Sequence, residues 1–204
     1  MPGPKGRSTR RRASPSKGDQ RELAILDAAE RQLAEGGLDR MTVETIATAA
    51  GITRGALYFY FASKNAVLAA LVSRTATSVV EAVGRAETQA PEDPREALRE
   101  AVTQTARMWT EHGAVMKVAV ELAPAVPEIE ASWQAAVSAT GRATRRLLVN
   151  AGVPDDESPL GAAAISAALV SMTERHFYAA AKRRVALDAA AETLTHVWLA
   201  VLPR

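Results

Sequence analysis

The segment from residue 42 to residue 68 constrains the fold of this chain more than any other part. It reads TVETIATAAGITRGALYFYFASKNAVL, and we interpret it as two short helices joined by a tight glycine turn, with small residues where the helices cross. Such a pair forms a helix-turn-helix, whose second helix enters a groove of DNA. The segment therefore predicts a compact helical unit that has DNA as its partner.

Local signals place both helices. The hydroxyl of Thr42 can cap the first helix, in which four apolar residues recur on one face, namely Val43, Ile46, Ala47 and Ala50. Gly51 ends that helix because glycine adopts positive φ without a Cβ clash, and Ile52 can then pack inward. Thr53 can cap the second helix. We expect its inward side chains to be Ala56, Leu57 and Phe61, and its outward side chains to be Arg54, Tyr58 and Tyr60.

The start of the second helix suits a close approach to a base pair. Thr53, Arg54 and Gly55 supply a hydroxyl, a guanidinium and bare backbone, and Arg54 is the best candidate for contact with a base edge. Two tyrosines of this helix and Lys64, in a helix that Ser63 can cap, can contact phosphates. The alternative is an ordinary helical hairpin, which also has a cap, a glycine turn and aromatic packing.

The run M-T-V-x-x-I-A-x-x-A-G-I-T-R-G-x-L-Y-x-Y-F-x-S-K-x-x-V-L resembles the DNA-binding signature of TetR-type transcriptional repressors, over residues 19–70. The stretches 18–26, 58–61, 173–175 and 195–198 further resemble the EthR-like branch of that family. The resemblance implies seven DNA contacts: Thr42, Thr53, Arg54, Gly55, Tyr58, Tyr60 and Lys64. Many members have histidine at the position of Tyr60.

The charge is concentrated at the N-terminus. Residues 1–18 hold six of the 25 basic residues and no acidic residue, so that the remaining chain carries 19 basic and 23 acidic residues. With prolines, serines and no apolar run, this segment is predicted to be a disordered basic arm. Beside a DNA-binding unit, Arg10, Arg11 and Arg12 can contact phosphates or a minor groove. The alternative is a solubilising tail.

The rest of the chain predicts an all-α fold of about nine helices. A capping box of Asp19 and Glu22 begins the first helix, in which Leu23, Leu26, Ala29, Glu30 and Leu33 share a face and which Gly36 and Gly37 close. Beyond residue 63 no segment alternates as a strand does. Further helices are predicted over 63–88, 95–112, 114–123, 128–150, 160–184 and 187–202. The predicted domains are a helix-turn-helix unit, 19–66, and a larger helical domain, 67–204.

The last two predicted helices have more apolar surface than one core can use. Small residues cover several sides of the first, around Ala162–Leu169, and a broad apolar face on the second includes Leu194, Val197 and Trp198. We expect these helices to pair with their copies in a homodimer, in a four-helix interface like that of TetR-type dimers. The alternative is that both are simply buried within one subunit.

The resemblance also implies that the larger domain holds a pocket for a hydrophobic small-molecule effector. Large apolar side chains that can line such a pocket occur there, together with one polar anchor. EthR-like proteins line their ligand channel at the positions of four of these residues: Trp109, Trp133, Thr173 and Trp198. The full set of expected ligand contacts is Met108, Trp109, Trp133, Met172, Thr173, Phe177 and Trp198. The alternative is that these side chains form ordinary core.

An enzyme finds little support in the sequence. The three histidines, His112, His176 and His196, have no metal-ligand spacing, cysteine is absent, and no glycine-rich phosphate loop or G-x-S-x-G occurs. We therefore expect no catalytic residue, no metal and no cofactor. No apolar stretch reaches about 18 residues and the N-terminus is unlike a secretory signal, so that a cytoplasmic protein without a membrane partner is expected. A DNA-binding architectural or activator protein without an effector remains the alternative.

Overall fold

The computed structural model describes residues 16–183 and 185–203, which form eight α-helices, a short 3₁₀ helix and no β-strand. The all-α prediction is confirmed. The 3₁₀ helix spans Leu38–Arg40 between the first two α-helices. The α-helices are α1 Lys17–Gly36, α2 Val43–Ala49, α3 Arg54–Tyr60, α4 Lys64–Thr88, α5 Pro94–Leu122, α6 Pro127–Asn150, α7 Ala162–Arg183 and α8 Leu187–Ala200.

Helix α1 begins three residues before its predicted start, because its cap is residue 16 and not residue 19. The capping box consists of Ser16 and Asp19 rather than of Asp19 and Glu22, because the Ser16 hydroxyl accepts the Asp19 amide and the Asp19 carboxylate accepts the Ser16 amide. Leu23, predicted to face the core, is 44% exposed, and Ile25 is fully buried instead. The helix ends as predicted, with Gly37 at φ 73°. Arg10, Arg11 and Arg12 lie outside the described residues.

The turn between α2 and α3 has the predicted geometry. The Thr42 hydroxyl caps α2 by accepting the Thr45 amide at 3.1 Å, and Gly51 has φ 66°. The amide of Gly51 donates to the carbonyl of Thr48 and that of Ile52 to the carbonyl of Ala47, so that the turn satisfies the last carbonyls of α2. The Gly-Ile-Thr corner therefore fixes the angle between the two helices through backbone hydrogen bonds.

Helices α4 to α8 pack into a bundle, in which α4 lies against α6, α5 against α8, and α6 against α7. The sequence predicted a break near residue 113, and the run of helical φ/ψ values in α5 is interrupted there, at His112, where φ is −121° and ψ is 16°. The kink lies beside Gly113, and glycine lowers the local helix propensity. The two predicted segments 95–112 and 114–123 together make up α5, so that the described residues hold eight α-helices when α5 is counted as one across its kink, where about nine were predicted.

One hydrophobic core connects α1–α3 with the bundle. Ile25, Ile46, Leu68 and Leu98 are fully buried members of the same cluster. The predicted domain boundary between residues 66 and 67 falls in the first turn of α4, and it stays a prediction.

Helix α4 differs from the other described helices in its apolar composition. Among the described helices it alone is long and apolar enough to cross a membrane by length and composition. Its buried side chains, including Val67, Leu68, Leu71 and Val72, belong to the core cluster. One side of α4 therefore packs in the core, while most of its residues are not buried in the single chain.

Candidate DNA-binding face and ligand cavity

Helix α3 is held by its apolar side and its cap. Leu57 is fully buried and Phe61 is 6% exposed, so that both anchor the helix to the core as predicted. The Thr53 hydroxyl accepts the Ala56 amide at 3.1 Å and closes the first turn. Arg54, Gly55 and Tyr58 are exposed on the other side. The structure thus presents a cationic helix start that is rigidly supported from behind.

Arg54 and Tyr58 contact each other across one turn of α3. The Arg54 guanidinium donates to the Tyr58 hydroxyl at 3.3 Å and lies 5.6 Å from the centre of its ring. The hydrogen bond to Tyr58 raises the pKa of Arg54 above its usual value. A guanidinium has five N–H donors, and this bond uses one of them. Arg54 can therefore be braced by Tyr58 and still donate to a base or a phosphate.

Tyr60 is not fully outward, contrary to the expectation from the sequence. It is half-buried and packs against the core, with its ring edge-to-face with that of Phe59 at 5.2 Å. Phe59 is the exposed aromatic residue instead, at 84%. Helical spacing explains why Phe59 points outward, because residue 59 lies about 200° around the helix from the buried Leu57. That signal was present in the sequence and was missed.

The remaining expected DNA contacts lie at other helix starts. Thr42 is exposed at the start of α2, where its hydroxyl is already used as a cap. Lys64 is the first residue of α4, after Ser63, whose hydroxyl accepts the Ala66 amide at 3.1 Å. Capping by Ser63 was predicted and is confirmed. The expected contacts thus occupy the first residues of α2, α3 and α4, together with the tyrosines of α3.

The bundle holds a cavity of about 410 Å³, partly open to solvent, between α4, α5, α6, α7 and α8. The exposed residues 89–91, which follow α4, line one end, and the buried Trp198 lines the wall contributed by α8. The volume is within the range of drug-sized ligand sites. Five of the seven expected ligand contacts line it: Met108, Trp109, Trp133, Thr173 and Trp198.

Met172 and Phe177 do not line the cavity. Met172 is 36% exposed, because Thr173 and not its neighbour faces inward on α7. Phe177 is fully buried behind the cavity wall, where its ring stacks on that of Trp109 with the centres 6.2 Å apart. Met172 is therefore a surface residue, and Phe177 supports Trp109 in the cavity wall.

Two tryptophans of the wall are fixed by hydrogen bonds to α7. Trp198 Nε1 donates to Thr173 Oγ1 at 3.0 Å, and Trp133 Nε1 donates to Glu174 Oε2 at 2.8 Å. Glu174 also lines the cavity, although it was not predicted from the sequence. Val170, Thr173 and Glu174 share one face of α7 by their i, i+3, i+4 spacing, which was the available signal.

The kink of α5 connects the cavity wall with α1. Trp109 and Met116 line the cavity on either side of His112, whose Nδ1 lies 2.9 Å from Glu30 Oε1. Glu30 also accepts from Arg74 of α4 at 2.6 Å. A displacement of this part of the wall would therefore act directly on a side chain of α1.

The described residues contain no group of three side chains that could hold a metal ion. Glu192 and His196, which are one turn apart, are both exposed on α8. These positions supply no buried acid–base pair and no metal centre in the described part of the chain.

Comparison with solved structures supports the fold assignment. A TetR-like transcriptional regulator from Rhodococcus sp. RHA1 is 26% identical with a TM-score of 0.69, covering 91% of this chain and 97% of its own. The fatty acid degradation regulator FadR from Bacillus halodurans is 19% identical with a TM-score of 0.72, over 91% of this chain and 96% of its own. SmeT, solved in complex with triclosan, is 23% identical with a TM-score of 0.69, over 91% of this chain and 92% of its own.

Sequence relatives cover nearly the whole chain. The HTH-type transcriptional regulator EthR of Mycolicibacterium smegmatis is 33% identical over 93% of this chain and 89% of its own length. EthR of Mycobacterium tuberculosis is 32% identical over 96% of this chain and 91% of its own length. These relatives are regulators, which confirms that the chain is not an enzyme. Residues 25–71 match the family described as bacterial regulatory proteins, tetR family. The chain is therefore a DNA-binding transcriptional regulator that belongs to the EthR-like branch of the TetR family.

Proposed function

We propose that this protein is a cytoplasmic repressor that binds an inverted-repeat operator as a homodimer and is released from it by a small, largely apolar effector. The observation that carries the proposal is the apolar cavity whose wall is joined to α1 through the kink of α5. A DNA-binding unit and a ligand cavity that are joined in this way can influence each other.

On the DNA side, Arg54 is proposed to contact a base edge, since it is exposed at the start of α3 and keeps free donors. Gly55 lets the backbone approach the groove. Thr42, Thr53, Tyr58, Tyr60 and Lys64 are proposed to contact phosphates. The basic arm with Arg10, Arg11 and Arg12 would add further phosphate contacts that weaken with salt.

On the ligand side, the proposed contacts are the five lining residues Met108, Trp109, Trp133, Thr173 and Trp198. Their side chains provide a mostly apolar wall with one hydroxyl, and that hydroxyl already accepts from Trp198. SmeT, which shares this fold, has been solved with triclosan bound, and a compound of comparable size would suit a cavity of about 410 Å³.

Release is proposed to begin at the kink. A ligand that displaces Trp109 or Met116 would move His112, which lies between them on α5, and through its contact it would move Glu30 on α1. Helix α1 packs on α2, so the position of the DNA-binding unit would change with it. The effector would act only to the extent that it binds the released arrangement of the protein more tightly than the DNA-bound arrangement.

Dimerisation is proposed to involve α7 and α8. Ala164, Ala168 and Met172 recur at every fourth position of α7 and are exposed in the single chain. A stripe of small residues with one flexible methionine suits close packing against a second copy. We expect Ala168→Arg to give a monomer by light scattering, and Ala135→Arg on the exposed side of α6 to leave the dimer intact. A dimeric Ala168→Arg variant would place the interface elsewhere.

The experiment that tests the function is a melting screen followed by DNA binding. A ligand that binds only the folded state raises the melting temperature. Compounds that do so are then added to the protein on its operator, and the proposal requires that at least one of them lowers DNA affinity. If stabilising compounds leave DNA affinity unchanged, or none is found, the protein is better described as a DNA-binding architectural or activator protein without an effector.

A further inference from the structure

We infer that the cavity selects amphiphilic cations, that is, apolar chains or rings that carry one amine or quaternary ammonium group. This inference rests on the proposed function, because it names the chemical class of the effector. It goes beyond an apolar ligand in requiring a positive charge, and so it can fail while the proposed function stands.

The first observation is the sign of the charges around the cavity. Every ionisable side chain that lines it is a carboxylate, and no lysine, arginine or histidine of the described residues does so. The four are Glu87, Glu96, Glu100 and Glu174. Three of them have an arginine partner that is not part of the wall: Glu87 pairs with Arg146, Glu96 with Arg99 at 2.9 Å, and Glu100 with Arg107 at 3.8 Å.

Glu174 differs from the other three carboxylates. It is half-buried on α7, and in the described part of the chain no cationic side chain comes within 4.0 Å of it. It accepts one hydrogen bond, from Trp133 Nε1 at 2.8 Å. An ionised carboxylate can accept about four, so Glu174 keeps acceptor capacity beside an apolar wall. A cation placed there would be attracted, whereas a carboxylate of a ligand would be repelled.

The second observation is the aromatic lining. All three tryptophans of the chain, Trp109, Trp133 and Trp198, line the cavity. Indole rings attract ammonium groups through the negative potential of their faces, and quaternary ammonium ligands are commonly recognised by such rings. The carboxylate of Glu174 and the three indole rings thus both favour a positively charged group on the ligand. The apolar remainder of the wall, including Val79, Val83, Met108 and Leu147, would cover a chain or ring attached to that charge.

The test uses three probes that share one ten-carbon chain, namely decyltrimethylammonium, 1-decanol and decanoate. The two ionic probes are kept below their micelle-forming concentrations, and 1-decanol is kept below its solubility limit. Binding to the full chain is followed by quenching or shift of tryptophan fluorescence, since all three tryptophans line the cavity. We expect decyltrimethylammonium to bind about tenfold or more tightly than 1-decanol, and decanoate to bind most weakly. Of the three affinities, only that for decyltrimethylammonium should fall as the salt concentration is raised.

The decisive variant is Glu174→Gln, which removes the charge and keeps an oxygen for the Trp133 hydrogen bond. It should lose the preference for the cation and bind 1-decanol as the parent does. The matched control is Glu121→Gln, because Glu121 is an exposed carboxylate of α5 that also accepts from an aromatic side chain, Tyr178, at 2.9 Å but does not line the cavity. It should behave as the parent.

Three results would overturn the inference. The first is equal or tighter binding of 1-decanol or decanoate by the parent, and the second is an undiminished preference for the cation in Glu174→Gln. If either neutral or anionic probe then releases operator DNA, the proposed function stands with a different effector class. The third is that none of the probes binds. The cavity would then not be a site for such chains, and the proposal that the protein binds operator DNA would still stand.

Discussion

His112 Nδ1 lies 2.9 Å from Glu30 Oε1, and this contact joins the bend of α5 to the first helix of the DNA-binding unit. Both side chains are about three-quarters shielded from solvent, with exposures of 30% and 25%. Arg74 holds the other oxygen of Glu30 at 2.6 Å and Asp27 at 2.7 Å. Helices α1, α4 and α5 are thus tied together at the level of the cavity wall.

The first prediction concerns this tie. His112→Ala removes the α5 side of the contact without altering a residue that lines the cavity. We expect the variant to bind both DNA and a cavity ligand nearly as the parent does, while the factor by which the ligand weakens DNA binding falls by about fivefold or more. The measurement is DNA affinity with and without saturating ligand, for any compound found in the melting screen.

A second histidine provides the control for that experiment. His176 is exposed on α7, and His176→Ala should leave the coupling factor as it is in the parent. If His112→Ala also keeps the full coupling factor, the effect of the ligand reaches the DNA-binding unit by another route.

The second prediction separates base contact from phosphate contact. Arg54→Ala should weaken binding to the operator relative to random DNA by about 1 to 3 kcal/mol. Lys64→Ala should weaken both by similar amounts and reduce the salt dependence. Titrations on both DNAs at several salt concentrations measure the two effects. Equal losses on both DNAs for Arg54→Ala would show that this residue reads no base.

The third prediction concerns Gly55. A Cβ at this position would meet no atom closer than Thr53 Oγ1 at 4.0 Å, so the fold has room for it. Alanine also favours a helix over glycine, and Gly55→Ala should stabilise the protein by up to about 1 kcal/mol in urea unfolding. We nevertheless expect weaker DNA binding, because the added methyl group would separate the backbone from the groove.

A matched glycine is available in α4. Gly84 is exposed and far along the chain from the expected DNA contacts. Apart from its chain neighbours and the nearby backbone of its own helix, no atom lies within 4 Å of the place that an added methyl group would occupy. Gly84→Ala should stabilise the protein similarly and leave DNA affinity unchanged. DNA affinity that is unchanged in Gly55→Ala would mean that the backbone of α3 does not approach the groove.

The fourth prediction concerns the basic arm. Ser16 caps α1, so a truncation that tests the arm alone should remove residues 1–15 and keep the cap. We expect lower DNA affinity and a smaller slope of log affinity against log salt, because fewer phosphates are neutralised. The melting temperature should not change. An unaltered slope would identify the segment as a tail without a role in DNA binding.

The sequence predicted best what neighbouring residues determine. The caps at Thr42, Thr53 and Ser63 and the positive φ of Gly51 follow from a few adjacent residues, and all four are confirmed. The cap of α1 was assigned to the wrong residue, since both Ser16 and Asp19 can cap and only the full turn decides between them.

What depends on packing between distant helices could not be read in the same way. Helical spacing places Glu174 on the same face of α7 as Val170, but the positions of α6 and α8 decide that this face, and not the face with Met172, lines the cavity.

The most direct test of the account is footprinting of the purified protein on DNA from its own genome. We predict a protected site made of two inverted half-sites whose centres lie about one helical turn, 34–36 Å, or a multiple of it apart. Protection should disappear when a cavity ligand is added. Protection of a single unsymmetrical half-site, or protection without any sequence preference, would contradict the account.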